Sequence, residues 1–153
     1  MGVIGRISRL AAHITARQRE TFALHGLDPA AFDVLATLRR SPPPHQLTPV
    51  QLSRAAMVST AATAQRLNRL ESDGLVIRQP SVEDARSVLV SLTEDGRHLV
   101  DAALPDHLDT ERGILAGLST VDQRLLEQLL ARLLETLEVD RTASPAGDRP
   151  VAY

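Results

Sequence analysis

The sequence predicts a mainly α-helical chain that carries one small two-stranded β-hairpin. Three observations lead there. Apolar residues recur at helical spacing along most of the 153 residues, helix-start signals precede several of these runs, and one stretch alternates with period two instead. Two short helices joined by a tight turn then run directly into the hairpin. That order defines a winged helix-turn-helix with a two-stranded β wing.

Each element has a local cause. Val3, Ile7, Leu10 and Ile14, widened by Ile4 and Ala11, predict a first helix over about 3–24, ended near Gly26. Asp28-Pro29 reads as an N-cap followed by proline at the first helical position. Phe32, Leu35 and Leu38 supply the buried face of that second helix, and Ser41-Pro42-Pro43-Pro44 stops it. Thr48-Pro49-Val50-Gln51 holds the residues of a capping box for a short third helix ending near Ala56. Met57-Val58 makes the turn, Ser59 caps a fourth helix over about 60–73, and Gly74 ends it. Leu75 to Arg78 and Ser87 to Leu92 read as strands, with Val88, Val90 and Leu92 alternating against Ser87, Leu89 and Ser91. The polar segment Pro80 to Arg86 is the hairpin tip. Thr93 to about Gly117 is helical with a kink expected at Pro105, and Ser119 to Asp122 offers a second capping box. The last helix carries Leu126, Leu129, Leu130, Leu133, Leu134 and Leu137. Residues 140–153 mix Pro, Ala, Gly and charge and are expected to form a disordered tail.

Composition narrows the function classes. Apolar residues at 43% and charged residues at 24% are ordinary for a soluble globular chain. Aromatics at 2% argue against binding single strands by base stacking. The absence of cysteine removes disulfides, thiolate catalysis and cysteine-type zinc sites together. No run approaches a membrane span, and Arg6, Ser8 and Arg9 break up the first apolar residues. Neither a signal peptide nor a membrane segment is expected, and the cytoplasm is the expected compartment. The net charge of −2 does not announce a nucleic-acid binder, but its distribution is uneven. Residues 1–50 hold six arginines against three acids; residues 98–153 hold five against ten. All 17 basic residues are arginine, the side chain suited to phosphate and guanine.

At 100° per residue, Thr63, Leu67 and Leu70 of the fourth helix share a core-facing side. Ala61, Ala62, Gln65, Asn68 and Arg69 fall opposite, with Arg66 at the flank. This suits a recognition helix. Alanines permit close approach to the groove, Gln65 and Asn68 can pair with adenine edges, and arginine with guanine or phosphate. The helix amino end with Ser59 and Thr60 can hold a phosphate. A solvated polar face is the plain alternative for such a helix in isolation; the order of elements and the wing favour recognition.

The resemblance to a known family becomes specific over about 50 residues. Leu47-Thr48-Pro49-x-x-Leu52, Met57-Val58-Ser59, Arg69-Leu70-Glu71-x-x-Gly74-Leu75-Val76-x-Arg78, Asp84-x-Arg86 and Val90-x-Leu92-Thr93-x-x-Gly96 follow in order. Together they resemble the MarR family signature, and the flanking helices extend the likeness to nearly residues 3–138. The resemblance implies a homodimeric, double-stranded DNA-binding transcription regulator, expected to be a repressor acting on a pseudo-palindromic operator. It implies that Arg86 enters the minor groove and that Asp84 orients it. Ala85 stands where the family often has a further arginine. It also implies a helical dimerisation lobe from residues 1–27 and 97–139 around a DNA-binding lobe of 28–96. The leucine stripe of the last helix, too wide for one neighbour, agrees with this.

A narrower likeness runs through Gly5-Arg6-x-x-Arg9-Leu10, through His25-Gly26-Leu27-x-x-x-x-Phe32-Asp33-Val34-Leu35-x-x-Leu38-Arg39-Arg40, and through Pro43-Pro44-x-x-Leu47-x-Pro49. These segments resemble the branch that answers to urate and related anions. The resemblance implies an effector site for a small organic anion at Asp33 and Arg78, which Gln65 or Arg66 can join. That branch carries a tryptophan in an amino-terminal extension; this chain has no Trp. Asp33 on the polar side of its helix and Arg78 paired to a phosphate or carboxylate are the alternatives. No cofactor, metal or catalytic residue is expected. His98 with Asp101 and His107 with Glu111 have metal-like helical spacing, but two-ligand pairs of this kind are common by chance. A winged-helix protein-interaction module or antirepressor that does not bind DNA is the rival function.

Overall fold

A computed structural model describes residues 2–56, 58–81, 84 and 86–143, with side chains followed to Glu138. Six helices and one hairpin succeed each other: α1 (Val3–Ala23), α2 (Pro29–Arg40), α3 (Pro49–Ala55), α4 (Thr60–Ser72), β1 (Val76–Pro80), β2 (Val88–Leu92), α5 (Glu94–Leu115) and α6 (Thr120–Ala143). The mainly α winged helix-turn-helix architecture is present as expected. The chain divides into two compact units, one through Arg112 and one from Gly113, so the division falls inside α5. Met57, Val82, Glu83 and Ala85, from the expected turn and hairpin tip, lie outside the described residues, as does 144–153. Residues 140–143 of the expected tail are helical, as the last residues of α6.

The caps explain the helix boundaries. Asp28 Oδ1 accepts the Ala31 main-chain N–H at 2.8 Å, opening α2. Thr48 and Gln51 form a reciprocal capping box, with Thr48 Oγ1 accepting from Gln51 N–H and Gln51 Oε1 accepting from Thr48 N–H. Ser59 Oγ accepts the Ala62 N–H at 3.2 Å and starts α4. Beyond the end of α4, Gly74 has φ +72°, Gly74 N–H donates to Glu71 C=O and Leu75 N–H to Leu70 C=O. This is a full Schellman motif, and it takes up the backbone of Leu75. β1 accordingly begins at Val76 and runs to Pro80, later than the alternation suggested.

The core of the first unit collects one face from each helix. Phe22 of α1, Phe32, Leu35 and Leu38 of α2, Leu52 of α3, Leu67 and Leu70 of α4, Val76 and Val90 of the hairpin, and Val100 and Ala103 of α5 are all buried. Burying a side chain of this size is worth about 1.5–3 kcal/mol relative to leaving it in water. The same core cluster takes in Phe22 of α1 and Val100 and Ala103 of α5. β1 and β2 are antiparallel, in register Val76↔Leu92 through Pro80↔Val88. Leu47 adds a bridge to Val90, its N–H donating to Val90 C=O at 3.1 Å and its C=O accepting from Val90 N–H at 2.8 Å.

The second unit is the end of α5, the turn and α6. Ser119 Oγ accepts from Asp122 N–H at 3.2 Å and donates to Asp122 Oδ2, capping α6. Gln123 Nε2 donates to the C=O groups of Leu115 and Leu118. α6 leaves its leucines uncovered: Leu129, Leu133, Leu134 and Leu137 are all exposed, the last at 65%. Among the described residues, no helix is long and apolar enough to cross a membrane.

Candidate nucleic-acid interface and effector cleft

α4 presents the face expected from its sequence. Thr63, Leu67 and Leu70 are nearly fully buried, while Thr60, Ala61, Gln65, Asn68 and Arg69 are exposed and Ala62 and Arg66 lie between. Thr63 resolves its buried hydroxyl by donating to Ser59 C=O. The capped amino end of α4 points free N–H groups outward beside the exposed Ser59 and Thr60, the arrangement that receives a phosphate.

Two exposed side chains of this face are already tied down. Arg69 Nη1 donates to Asp28 Oδ2 at 3.3 Å, with Asp73 4.0 Å away. Asp28 therefore caps α2 with one oxygen and holds α4 with the other. Asn68 Oδ1 accepts from Arg78 Nη2 at 2.7 Å. In the wing, Asp84 Oδ1 accepts the main-chain N–H of Arg86 at 3.0 Å, and Asp84 C=O accepts from Ser87 N–H at 2.8 Å. This Asx-type contact shapes the turn on which Arg86 is mounted.

A cleft of about 520 Å³ opens between α1, α2, α4 and α5 of the first unit. That is within the size range of small-molecule sites. Asp33, Ala36 and Arg40 line it from α2, Gln18 and Phe22 from α1, Arg66 from α4, and His107 and Glu111 from α5. Aromatic rings build one wall. Phe22 and Phe32 stack at 4.3 Å between centroids, and the His107 ring packs 5.2 Å from Phe22 and 4.9 Å from Phe32. His107 Nε2 meets Glu111 Oε1 at 3.1 Å. Arg40 and Arg66 bring two guanidinium groups to the lining, and Asp33 and Glu111 two carboxylates.

Asp33 and Arg78 are not brought together. Asp33 lines the cleft, but Arg78 is not among its lining residues, because Asn68 and Glu71 occupy its guanidinium. Arg66 and Arg40, not Arg78, are the arginines that line the cleft with Asp33. The sequence resemblance points to Arg66 and not to Arg40. Its signal was available, since positions 33 and 40 are two helical turns apart and share a face. His107 comes from a helix distant in sequence and left no local signal. Of the two metal-like helical pairs, His107 is engaged by Glu111, and Asp101 is taken by Arg39 Nε at 2.8 Å.

Two short helices, an outward polar face on the second, and a β-hairpin arm beside it are the parts of a winged helix-turn-helix regulator. The MarR family model matches residues 25–87. The HTH-type transcriptional regulator PecS of Dickeya dadantii is 36% identical over 141 residues, 92% of this chain and 85% of PecS. The chain belongs to the MarR family of transcription regulators. Among solved structures, a mutant MarR of E. coli complexed with operator DNA matches with TM-score 0.79 and 28% identity, over 86% of this chain and 93% of that one. BpsR of Bordetella bronchiseptica matches with TM-score 0.78 and 26% identity, over 86% of this chain and 92% of that one. Its structure is described as a mechanism for regulation of BpsR DNA binding by 6-hydroxynicotinic acid.

Proposed function

We propose that the chain is a cytoplasmic homodimeric repressor that binds a pseudo-palindromic operator and is released by a small organic anion. The observation that carries DNA binding is the α4 face. Ala61 and Ala62 allow close approach, Gln65, Asn68 and Arg69 offer hydrogen-bonding groups, and Arg86 stands on the adjoining wing. Gln65, Arg66, Asn68 and Arg69 read the major groove, Ser59 and Thr60 hold phosphate, and Arg86 on its Asp84 turn enters the minor groove. The MarR structure with operator DNA supports this reading.

The homodimer rests on apolar surface that water should not face. In α1, Val3 and Ile4 are exposed; in α6, the leucine stripe borders a groove of about 540 Å³ lined by Leu115, Leu126, Leu130 and Leu134. A second copy covers these faces. Two recognition helices related by a two-fold axis then contact half-sites about 10 bp apart.

The effector enters the cleft of Asp33, Arg40 and Arg66. A guanidinium fork suits a carboxylate or urate-like anion, and BpsR supports an aromatic carboxylate. Because Arg66 belongs to the recognition helix, an occupant acts on that helix directly. Release requires that the anion bind the DNA-incompetent form more tightly.

Footprinting on the DNA flanking the gene tests the first part. A dyad-symmetric footprint whose affinity falls steeply with salt is expected; a footprint without dyad symmetry refutes it. 6-Hydroxynicotinate, urate, other aromatic carboxylates and tricarboxylates are then screened for release. An anion that releases the wild type should fail on Arg66→Ala in calorimetry and still bind Arg78→Ala. Equal binding to Arg66→Ala refutes the cleft.

A further inference from the structure

We propose that Arg78 is a specificity-setting positioning residue, which takes the amide oxygen of Asn68 and thereby decides which bases Asn68 reads. The proposal rests on the reading of α4 as the recognition helix. Arg78 lies on β1, at the root of the wing. Its Nη2 donates to Asn68 Oδ1 at 2.7 Å, and its Nη1 is 3.7 Å from Glu71 Oε2. Glu71 Oε1 also accepts the Arg78 main-chain N–H at 3.3 Å. Asn68 and Glu71 are three residues apart on α4, so Arg78 closes over one edge of that helix.

The orientation of the amide follows from chemistry. A guanidinium carries donors only, so the atom of Asn68 that meets it must be the oxygen. The contact is short and charge-assisted. Arg78 is itself held: its side chain is 28% exposed and its Nε is buried without a partner among the described residues. Oδ1 is thus aimed at the wing root, and the Asn68 NH2 group is left to the groove.

An asparagine that reads adenine uses both ends, accepting from N6–H2 through oxygen and donating to N7 through nitrogen. With its oxygen turned toward Arg78 and its NH2 group toward the groove, Asn68 reads as a donor. It therefore favours the acceptor-bearing edges of guanine (N7, O6) and thymine (O4) over adenine, whose N7 acceptor stands beside the N6–H2 donor. It disfavours cytosine, whose groove edge presents the N4–H2 donor. Without Arg78, the amide can rotate and engage adenine with both atoms.

The test is selection from randomised duplexes with the full chain, comparing base preference position by position. In the wild type, one dyad-related pair of positions should favour G or T and reject C. Asn68→Ala should flatten that pair alone. Arg78→Met, which removes every donor but keeps the stem packed, should move the preference there to A by roughly tenfold. Arg78→Ala serves the same purpose if the Met variant fails to fold. Arg78→Lys, which restores a donor, should return the wild-type preference, and Asn68→Ala with Arg78→Met should match Asn68→Ala. If Arg78→Met weakens all sequences equally and leaves the profile unchanged, the proposal is overturned. Failure of the underlying reading looks different: Asn68→Ala and Gln65→Ala would both leave every position of the profile as it was.

Discussion

Gly96 offers a test in which one chemical change has opposite signs at two sites of the same helix. A Cβ built on Gly96 meets Leu75 O at 2.0 Å and Leu75 C at 2.9 Å. Ordinary contact begins at 3.4 Å, so Gly96→Ala forces the start of α5 and the wing root apart by about 1.4 Å. That joint is tightly bonded. Thr93 N–H donates to Leu75 C=O at 3.1 Å, Thr93 Oγ1 donates to Gly74 C=O at 2.6 Å, and Gly96 N–H donates to Thr93 Oγ1 at 3.0 Å. Overpacking costs about 1–3 kcal/mol, and loss of one or two of these bonds adds roughly 1 kcal/mol each. The gain from replacing a helical glycine is at most about 1 kcal/mol. The clash wins, by about 1–4 kcal/mol net. For a chain of this size that lowers the melting temperature by roughly 2–16 °C. At Gly113, further along α5, an added Cβ meets nothing within 4 Å. Gly113→Ala should therefore raise the melting temperature by a few degrees. Thermal melts of the two variants and wild type at matched protein concentration decide the matter. If Gly96→Ala melts at or above the wild type, the packing argument for this joint is wrong.

Three further outcomes are expected. Leu130→Asp places a charge in the α6 groove and should shift the mass in light scattering from dimer toward monomer at micromolar concentration. Arg86→Ala should weaken operator binding across sequences and lower the salt slope by about one, whereas loss of Arg66 or Arg69 should relax preference at one base position for about 1–3 kcal/mol; affinity titrations over a salt series and over single-base operator variants separate the two. Asp28→Ala removes the α2 cap and should destabilise by about 1 kcal/mol, while Asp28→Asn keeps the cap and should cost less, as chemical denaturation will read.

Much of this protein was legible in the sequence, because its determinants are local. A cap, a proline or a left-handed glycine acts on neighbours within a turn. Asp28, Thr48 with Gln51, Ser59 and Gly74 therefore located the ends of α2, α3 and α4, and helical periodicity separated buried Leu67 and Leu70 from exposed Gln65 and Asn68. The motif order from Leu47 to Gly96 was enough for the family. What depended on distant parts of the chain was not legible. The resemblance places Arg78 beside Asp33, yet competition between partners is settled in three dimensions: once Asn68 and Glu71 lie within reach, the Arg78 Nη groups turn to them. The cleft in turn assembled itself from four helices, so that His107 of α5 joined Phe22 and Phe32 although no pattern linked them. Periodicity states which face of a helix is buried; only packing states what it is buried against, and that choice put Asp33 in the same cleft as Arg40 and Arg66.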